Sequence, residues 1–198
     1  MKQIVIFASG SGTNAQQITE FFLNSKVARV MMIYSNRADA FVLQRAGKMN
    51  IPAIVFNKSG FYETDTVLNQ LKHLQPDLIV LAGFLWKIPE KIISAFPGKI
   101  VNIHPALLPK YGGKGMYGKH VHRAVLESRD QESGITIHYV NENYDEGAII
   151  FQARCAIDDG ETPETLAQKI HELEYQFYPK IIEQVLLSKS LNFEIFEQ

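Results

Sequence analysis

Cysteine is almost absent from this chain. Cys155 stands alone among 198 residues, so neither a disulfide framework nor a cysteine-built metal site can be assembled. Long hydrophobic runs are absent too. No stretch approaches the roughly 18 apolar residues of a membrane span, and no basic region with a long apolar segment precedes the first strand-like run. Neither sign of charge is in excess, with 20 basic and 21 acidic residues. That balance argues against a general nucleic-acid binder or a polybasic membrane binder. Internal repeats, low-complexity tracts and linkers are also missing. What remains is 46% hydrophobic, enough for one well-cored domain spanning 1–198, with little room for two. A soluble cytoplasmic protein is expected.

The apolar pattern alternates between two periods. Residues 3–9 read as a buried strand, in which Ile4, Val5, Ile6 and Phe7 are continuously apolar. Residues 14–24 then carry helical spacing, with Ile18, Phe21 and Phe22 on one side. A strand at 28–34 and a helix at 40–48 follow, then a short strand at 53–56 and a helix at 64–74. Leu78-Ile79-Val80-Leu81-Ala82 is the plainest buried strand. A helix at 88–95 and a strand at 100–103 complete the first half. Such alternation predicts an α/β fold: a single-domain, open, mostly parallel twisted sheet with helices on both faces, Rossmann-like in plan.

After residue 103 the pattern changes. Gly112, Gly113, Gly115 and Gly118 crowd residues 110–118, too many for regular structure, which predicts a mobile loop. A helix over 119–128 precedes two strands, 135–140 and 148–156, expected as an antiparallel addition to the sheet. Thr162-Pro163-Glu164 reads as a helix start: a threonine cap, proline at the first position and an acid in the first turn. That helix runs to about residue 187, and 191–196 read as a last edge strand.

Two stretches carry chemistry. Ser9-Gly10-Ser11-Gly12-Thr13-Asn14 joins the first strand to the first helix. Backbone N–H groups of such a turn, with the helix dipole behind them, make an anion site. The Gly-Lys-Ser/Thr of a Walker loop does not follow. Gly10-x-Gly12-x-x-Ala15 also fits the loose dinucleotide fingerprint. No acid ends the second strand to hold an adenosine ribose, but Ser35-Asn36-Arg37 suits a 2′-phosphate there. The loop alone therefore admits a phosphate site, an NADP site, or a tight turn without ligand.

The second stretch is Asn102-Ile103-His104-Pro105, which ends an apolar strand as Leu81-Ala82-Gly83-Phe84 ends another. The two strand ends are expected side by side at the carboxyl edge, where open α/β sheets bind ligands. Tyr144-Asp145-Glu146-Gly147 forms a turn between the last two strands and brings a carboxylate to the same edge. Asn102 can donate to a developing oxyanion, and His104 can carry a proton near neutral pH. Asp145 can orient and charge that histidine. No serine or cysteine nucleophile accompanies them, so direct acyl transfer to an amine is expected rather than covalent catalysis.

Other polar residues read more plainly. His138, within a strand, is expected to make a structural hydrogen bond. His120 and His122 open a helix after the glycine-rich loop and read as surface residues, with no carboxylate spaced to make them a metal site. Tyr175, Phe177 and Tyr178 read as core packing. Lys110 leaves the catalytic strand toward the mouth and is a candidate contact to substrate phosphate.

Across these strings, from Ile4 to about Pro179, the chain resembles the 10-formyltetrahydrofolate-dependent formyltransferases. The specific marks are the Ser9-to-Asn14 loop, Leu81-Ala82-Gly83-Phe84, Asn102-Ile103-His104-Pro105-Ala106-Leu107-Leu108-Pro109 and Tyr144-Asp145-Glu146-Gly147. The His-Pro-Ala/Ser-Leu-Leu-Pro string is shared with methionyl-tRNA formyltransferases and formyltetrahydrofolate deformylases. The phosphate loop and the short length point instead to the branch that formylates glycinamide ribonucleotide in purine synthesis. Neither the RNA-binding domain of the tRNA enzymes nor the regulatory domain of the deformylases is expected.

The resemblance implies that a formyl group passes from the co-substrate 10-formyltetrahydrofolate to the amine of glycinamide ribonucleotide, with no metal. It implies that Gly12, Thr13 and Asn14 hold the ribonucleotide phosphate, and that Asn102, His104 and Asp145 are the catalytic trio. Residues 1–103 then form the nucleotide-binding half, and 104–198 carry the catalytic loop, the folate-side strands and the last helix. Leu85, Trp86, Lys87 and Ile88, with Asn141, Glu142, Asn143, Tyr144 and Asp145, are implied to line the pterin pocket beside Asn102, largely through backbone groups. Glu174 is implied to hold the ribonucleotide, with His171, Glu172 and Leu173 as near neighbours. In that scheme the Asn102 amide and protonated His104 stabilise the negative oxygen formed when the amine attacks, and Asp145 keeps His104 charged. The partners are small molecules, without nucleic acid or membrane, and the protein is a monomer or homodimer.

Three departures stand out. The family's Phe-Met-Arg-Ile is Phe84-Leu85-Trp86-Lys87 here. Phe61-Tyr62-Glu63-Thr64 has no arginine where some members hold the folate tail. Residues 110–118 are longer than in several relatives.

Overall fold

Alternating burial builds the sheet. In β1 (Lys2–Phe7), Ile4 and Ile6 face one apolar cluster while Val5 and Phe7 face another, the period-two signature of a strand buried on both sides. A computed structural model describes residues 1–188. Its further strands are β2 (Ala28–Ser35), β3 (Ala53–Val55), β4 (Leu78–Leu81), β5 (Ile100–His104), β6 (Glu132–Tyr139) and β7 (Ile149–Ala156). They lie in the order β3-β2-β1-β4-β5-β6-β7. The pairs from β3 to β5 are parallel, and those of β5 with β6 and of β6 with β7 are antiparallel. The expected mixed α/β architecture is therefore present.

Among the described residues, six α-helices cover the sheet. On one face lie α1 (Thr13–Phe22), α2 (Phe41–Lys48), α5 (Lys119–Glu127) and α6 (Pro163–Leu187), which bury Ile18, Val42, Val121 and Ile170 in the first cluster. On the other lie α3 (Thr66–Leu74) and α4 (Glu90–Ala95), which bury Leu71 and Ile92 in the second. None of the described helices is long and apolar enough to cross a membrane.

Helix α6 starts as the sequence predicts. Thr165 N–H donates to Thr162 Oγ1 at 3.2 Å, and Thr162 N–H donates to Thr165 Oγ1 at 3.0 Å, with Pro163 at the first helical position. Farther along, Tyr178 is fully buried and its hydroxyl donates to the Leu81 carbonyl at 2.9 Å. One helix thus grips the end of β4, which fixes the sheet edge that carries the site. Tyr175 does not join the core as expected but stacks on His171, with ring centroids 6.0 Å apart.

Some boundaries differ from the sequence pattern. Helix α3 begins at Thr66 because a π-helical turn, Ser59–Glu63, precedes it and inserts Phe61 into the core. Strand β6 begins at Glu132, not residue 135. Glu132, Ser133 and Gly134 have little strand propensity, but they pair with Ala156, Cys155 and Arg154. Gly134 lies so close to β7 that a Cβ there would sit 2.0 Å from the Ala153 carbonyl oxygen. Ladder pairing overrides propensity here. The strand expected at 191–196 lies outside the described residues.

Strand order places the site. Chain connections run outward from β1 to β2 and β3 on one side, then return to β4 and β5 on the other. The order therefore reverses between β1 and β4, and a crevice opens beyond their carboxyl ends.

Candidate active site

The crevice is a cleft of about 660 Å³, within the usual range for small-molecule sites. Its floor is the junction of the β1 and β4 ends. Ser9 N–H donates to the Gly83 carbonyl at 3.1 Å, and Leu85 N–H donates to Ser9 Oγ at 3.0 Å. The glycine loop and the Leu81-to-Phe84 segment are thereby held side by side.

At one end sits the start of α1. Gly12 has φ +74°, and a Cβ there would lie 2.3 Å from Val42 Cγ2 and 2.8 Å from Val42 Cα. Only glycine lets the loop pass α2 this closely. No side chain caps α1, and no acid occupies its first turn. Its leading N–H groups and dipole therefore face the cleft without a capping side chain on them. Asn14 turns its amide away from the loop: Nδ2 donates to Glu174 Oε2 at 2.8 Å. The same oxygen accepts from His171 Nδ1 at 3.0 Å. Glu174 is 5% exposed, and its hydrogen bond raises the His171 pKa against the opposing effect of burial.

At the other end three polar side chains converge. Asn102 and His104 are two apart on β5 and so share one face of the strand. Asp145 arrives from the β6–β7 turn with φ +57°. His104 Nδ1 lies 3.5 Å from Asp145 Oδ2, and the side chains are 3% and 12% exposed. His104 Nε2 lies 2.8 Å from the Tyr111 carbonyl oxygen. A carbonyl can only accept, so Nε2 carries a proton and Nδ1 is the nitrogen left to titrate beside the carboxylate. Gly113 N–H donates to Asp145 Oδ2 at 2.9 Å. The glycine-rich 110–118 segment has no regular structure, as its composition predicts, yet these contacts tie it to the site.

The electrostatics refine the expectation for His104. Burial lowers its pKa more than Asp145 and the Tyr111 carbonyl raise it, so the net shift is downward. That direction favours the neutral ring at rest and works against the charged form that the resemblance implies. Burial likewise works to raise the Asp145 carboxyl, but His138 and His104 in their protonated forms, with the Gly113 N–H, bring it below its ordinary value. The pair is a carboxylate beside a neutral imidazole, able to accept one proton between them.

His138 belongs to the site, beyond the structural role expected of it. It stands directly across the β5–β6 ladder from Asn102 and is 2% exposed. Its Nδ1 lies 2.9 Å from the Tyr139 carbonyl oxygen, so the proton sits there. Nε2 is then an acceptor, and Asn102 Nδ2 donates to it at 3.1 Å. That bond sets the orientation of the Asn102 amide and leaves its second N–H for the cleft. Nε2 also lies 3.6 Å from Asp145 Oδ1.

Between the two ends runs an apolar wall of Phe84, Ile88 and Val140, faced by Asn141, Asn143 and Tyr144. Lys87 Nζ lies 5.8 Å from the Tyr144 ring centroid. Trp86 packs on Phe56 and Phe61 with centroids 5.9 and 6.0 Å away.

Several residues expected at the site lie outside the cleft lining. Lys110 does not line the cleft: its Nζ pairs with Asp130 at 3.1 Å, 67% exposed, beside a Tyr111 hydroxyl that donates to the same carboxylate. Glu172 and Glu142 are exposed and Leu173 packs against the core, all outside the cleft wall. On α6, residues 171 and 174 share a face that 172 and 173 do not. Arg37 pairs with Asp39 at 2.7 Å and does not line the cleft, so it gives the NADP reading no support there. His120 is exposed as expected, but His122 is buried and lines the cleft. Among the described residues no three His, Cys, Asp or Glu side chains gather as a metal site.

Comparison with known proteins agrees with this geometry. A family model described as formyl transferase matches residues 2–182. The phosphoribosylglycinamide formyltransferase of Haemophilus influenzae is 40% identical over 187 residues, covering 92% of this chain and 86% of its own. The chloroplastic protein of the same name from Arabidopsis thaliana is 38% identical over 91% of this chain, which spans 64% of the plant protein's length. The crystal structure of glycinamide ribonucleotide transformylase 1 from Geobacillus kaustophilus superposes with a TM-score of 0.85 at 38% identity, covering 94% of this chain and 99% of that one.

Proposed function

The chain belongs to the formyl transferase family, and on that premise we propose that it transfers the formyl group of 10-formyltetrahydrofolate to the amine of glycinamide ribonucleotide, a step of purine biosynthesis. The observation that carries this reading is the two-ended cleft. An uncapped helix start suited to phosphate lies at one end, and an amide, an imidazole and a carboxylate converge at the other. No cysteine lines the space between them. Two substrates held in register need no covalent enzyme intermediate.

The apolar wall fits the flat ring of a folate. Phe84, Ile88 and Val140 offer contact area, and the 141–145 turn offers polar groups to the ring edge. When bound, the folate supplies the formyl carbon that the amine attacks. The Asn102 amide, oriented by His138, has an N–H free to donate to the oxygen on which charge develops. His104 Nε2–H is the second donor. It is engaged by the Tyr111 carbonyl, so its use requires residues 110–113 to shift. Such donors are typically worth about two to three powers of ten each. Asp145 stabilises the imidazolium that forms when the pair takes up a proton from the attacking amine. As the tetrahedral intermediate collapses, the bond between the formyl carbon and the folate nitrogen breaks and that proton passes to the departing nitrogen.

Glycinamide ribonucleotide and 10-formyltetrahydrofolate, mixed with the purified protein, provide the test. The expected products are N-formylglycinamide ribonucleotide and tetrahydrofolate, formed at a rate that depends on both substrates. Release of formate at a rate indifferent to the amine would identify a hydrolase and overturn the proposal.

A further inference from the structure

His122 is a buried polar group that neither the fold nor the proposed chemistry uses. It lies in the first turn of α5, is 3% exposed and lines the cleft. Its Nδ1 is sealed from solvent and has no hydrogen-bond partner among the described residues. The neighbouring buried positions of the helix, Val121 and Val125, are apolar. An apolar side chain at 122 would satisfy the same packing without leaving a polar atom unpaired. Packing therefore does not account for a histidine here.

Its surroundings place it within the cleft. His171, Glu174 and His104 all act on it electrostatically. The first two belong to the network with Asn14 at the phosphate end, and the third belongs to the catalytic end. His122 thus stands on the wall that joins the two. Burial lowers its pKa, and the nearby imidazoles lower it further against the pull of Glu174. A neutral ring suits a hydroxyl better than an anion.

We infer that His122 is a substrate-binding residue whose ring turns on substrate entry so that Nδ1, buried and unpaired at rest, hydrogen-bonds a sugar hydroxyl of the phosphorylated amine substrate. The inference rests on the proposed formyl transfer, since it takes the ribonucleotide as the ligand. The unpaired nitrogen is a built-in cost to the fold that the bound sugar removes. His122 is then a specificity residue for the ribonucleotide and has no part in holding the folate.

Calorimetric titrations of the full chain with glycinamide ribonucleotide, with a folate analogue and with inorganic phosphate test this on H122L and H122N. Losing one good hydrogen bond to substrate is expected to weaken ribonucleotide binding of H122L about tenfold. Folate and phosphate affinities stay near wild type, and the melting temperature is unchanged or raised. H122N, whose amide can put a polar atom where Nδ1 was, recovers most of the loss. Wild-type ribonucleotide affinity in H122L overturns the inference. So does an equal loss for phosphate, which would make His122 a phosphate contact, or a parallel loss of folate with a lower melting temperature, which would make it structural. Failure of the wild-type protein to bind the ribonucleotide defeats the formyl-transfer reading itself and is a separate result.

Discussion

Asp145→Asn is the sharpest test of the catalytic pair, because it removes a charge while keeping nearly the same volume. The new amide oxygen can still accept the Gly113 N–H, which Asp145 now holds at 2.9 Å. What disappears is the carboxylate 3.5 Å from His104 Nδ1. At an effective dielectric constant of about 20, unit charges at that distance attract by roughly 5 kcal/mol. Imidazolium charge is spread over the ring, and Asp145 keeps 12% exposure, so about 3–4 kcal/mol is a fair working value. At about 1.4 kcal/mol per power of ten, kcat should fall roughly 10²- to 10³-fold. Burial already opposes a proton on His104, and the remaining carboxylate that favours one, Glu174, acts more weakly than Asp145. Folate binding should change much less, because the full charge arrangement is needed only in the transition state. The assay is steady-state formyl transfer with each substrate varied in turn. His104→Ala should be similarly damaging, and the double variant should lose less than the product of the two losses. Near-wild-type turnover in Asp145→Asn, or strictly multiplicative losses in the cycle, would mean the wrong residues have been paired.

Three further outcomes follow from the geometry. Gly12→Val places a branched side chain at φ +74° against Val42, so ribonucleotide affinity should drop far more than folate affinity, with a stability loss of about 1–3 kcal/mol; separate titrations check this, and equal loss of both ligands in a folded variant would reject the phosphate-loop assignment. His138→Leu removes the acceptor that orients the Asn102 amide and should lower kcat about tenfold or more, while His138→Gln, whose side-chain oxygen can accept the same bond, should retain most activity; identical kinetics for the two variants would show that the bond does not matter. Buried His104 and His122 have lowered pKa values, so their stabilisation is present above the ordinary histidine value and is lost as pH falls through their folded values, whereas raised His171 contributes below that value and loses its share as pH rises; melting temperature should therefore fall on acidification below about pH 6.5, less steeply in His122→Leu, and a flat profile there would contradict the burial argument.

Local pattern was enough for most of the scaffold. Ile4 to Phe7 and Leu78 to Leu81 are apolar without interruption because both faces of those strands are covered. The Thr162–Pro163 helix start was legible because a cap is a local matter of hydrogen bonds within four residues. The β6 start was not, since Ser133 and Gly134 are held by partners on β7 that no local propensity reflects.

The same division runs through the site, where chemistry on the strand ends was visible and contacts across space were not. Asn102, His104 and Asp145 announce themselves by type and position, whereas Lys110 misleads because Asp130, twenty residues on, captures its ammonium. His138 was hidden by a step of inference. An antiparallel addition to the sheet was expected from the pattern, but not the strand it would join. Once β5 and β6 pair with Asn102 opposite His138, the two side chains must share a face of the sheet. A histidine on that face cannot be a bystander, because it meets the amide that is to bind the oxyanion. Register, more than residue type, decides which polar groups join a site built at the edge of a sheet.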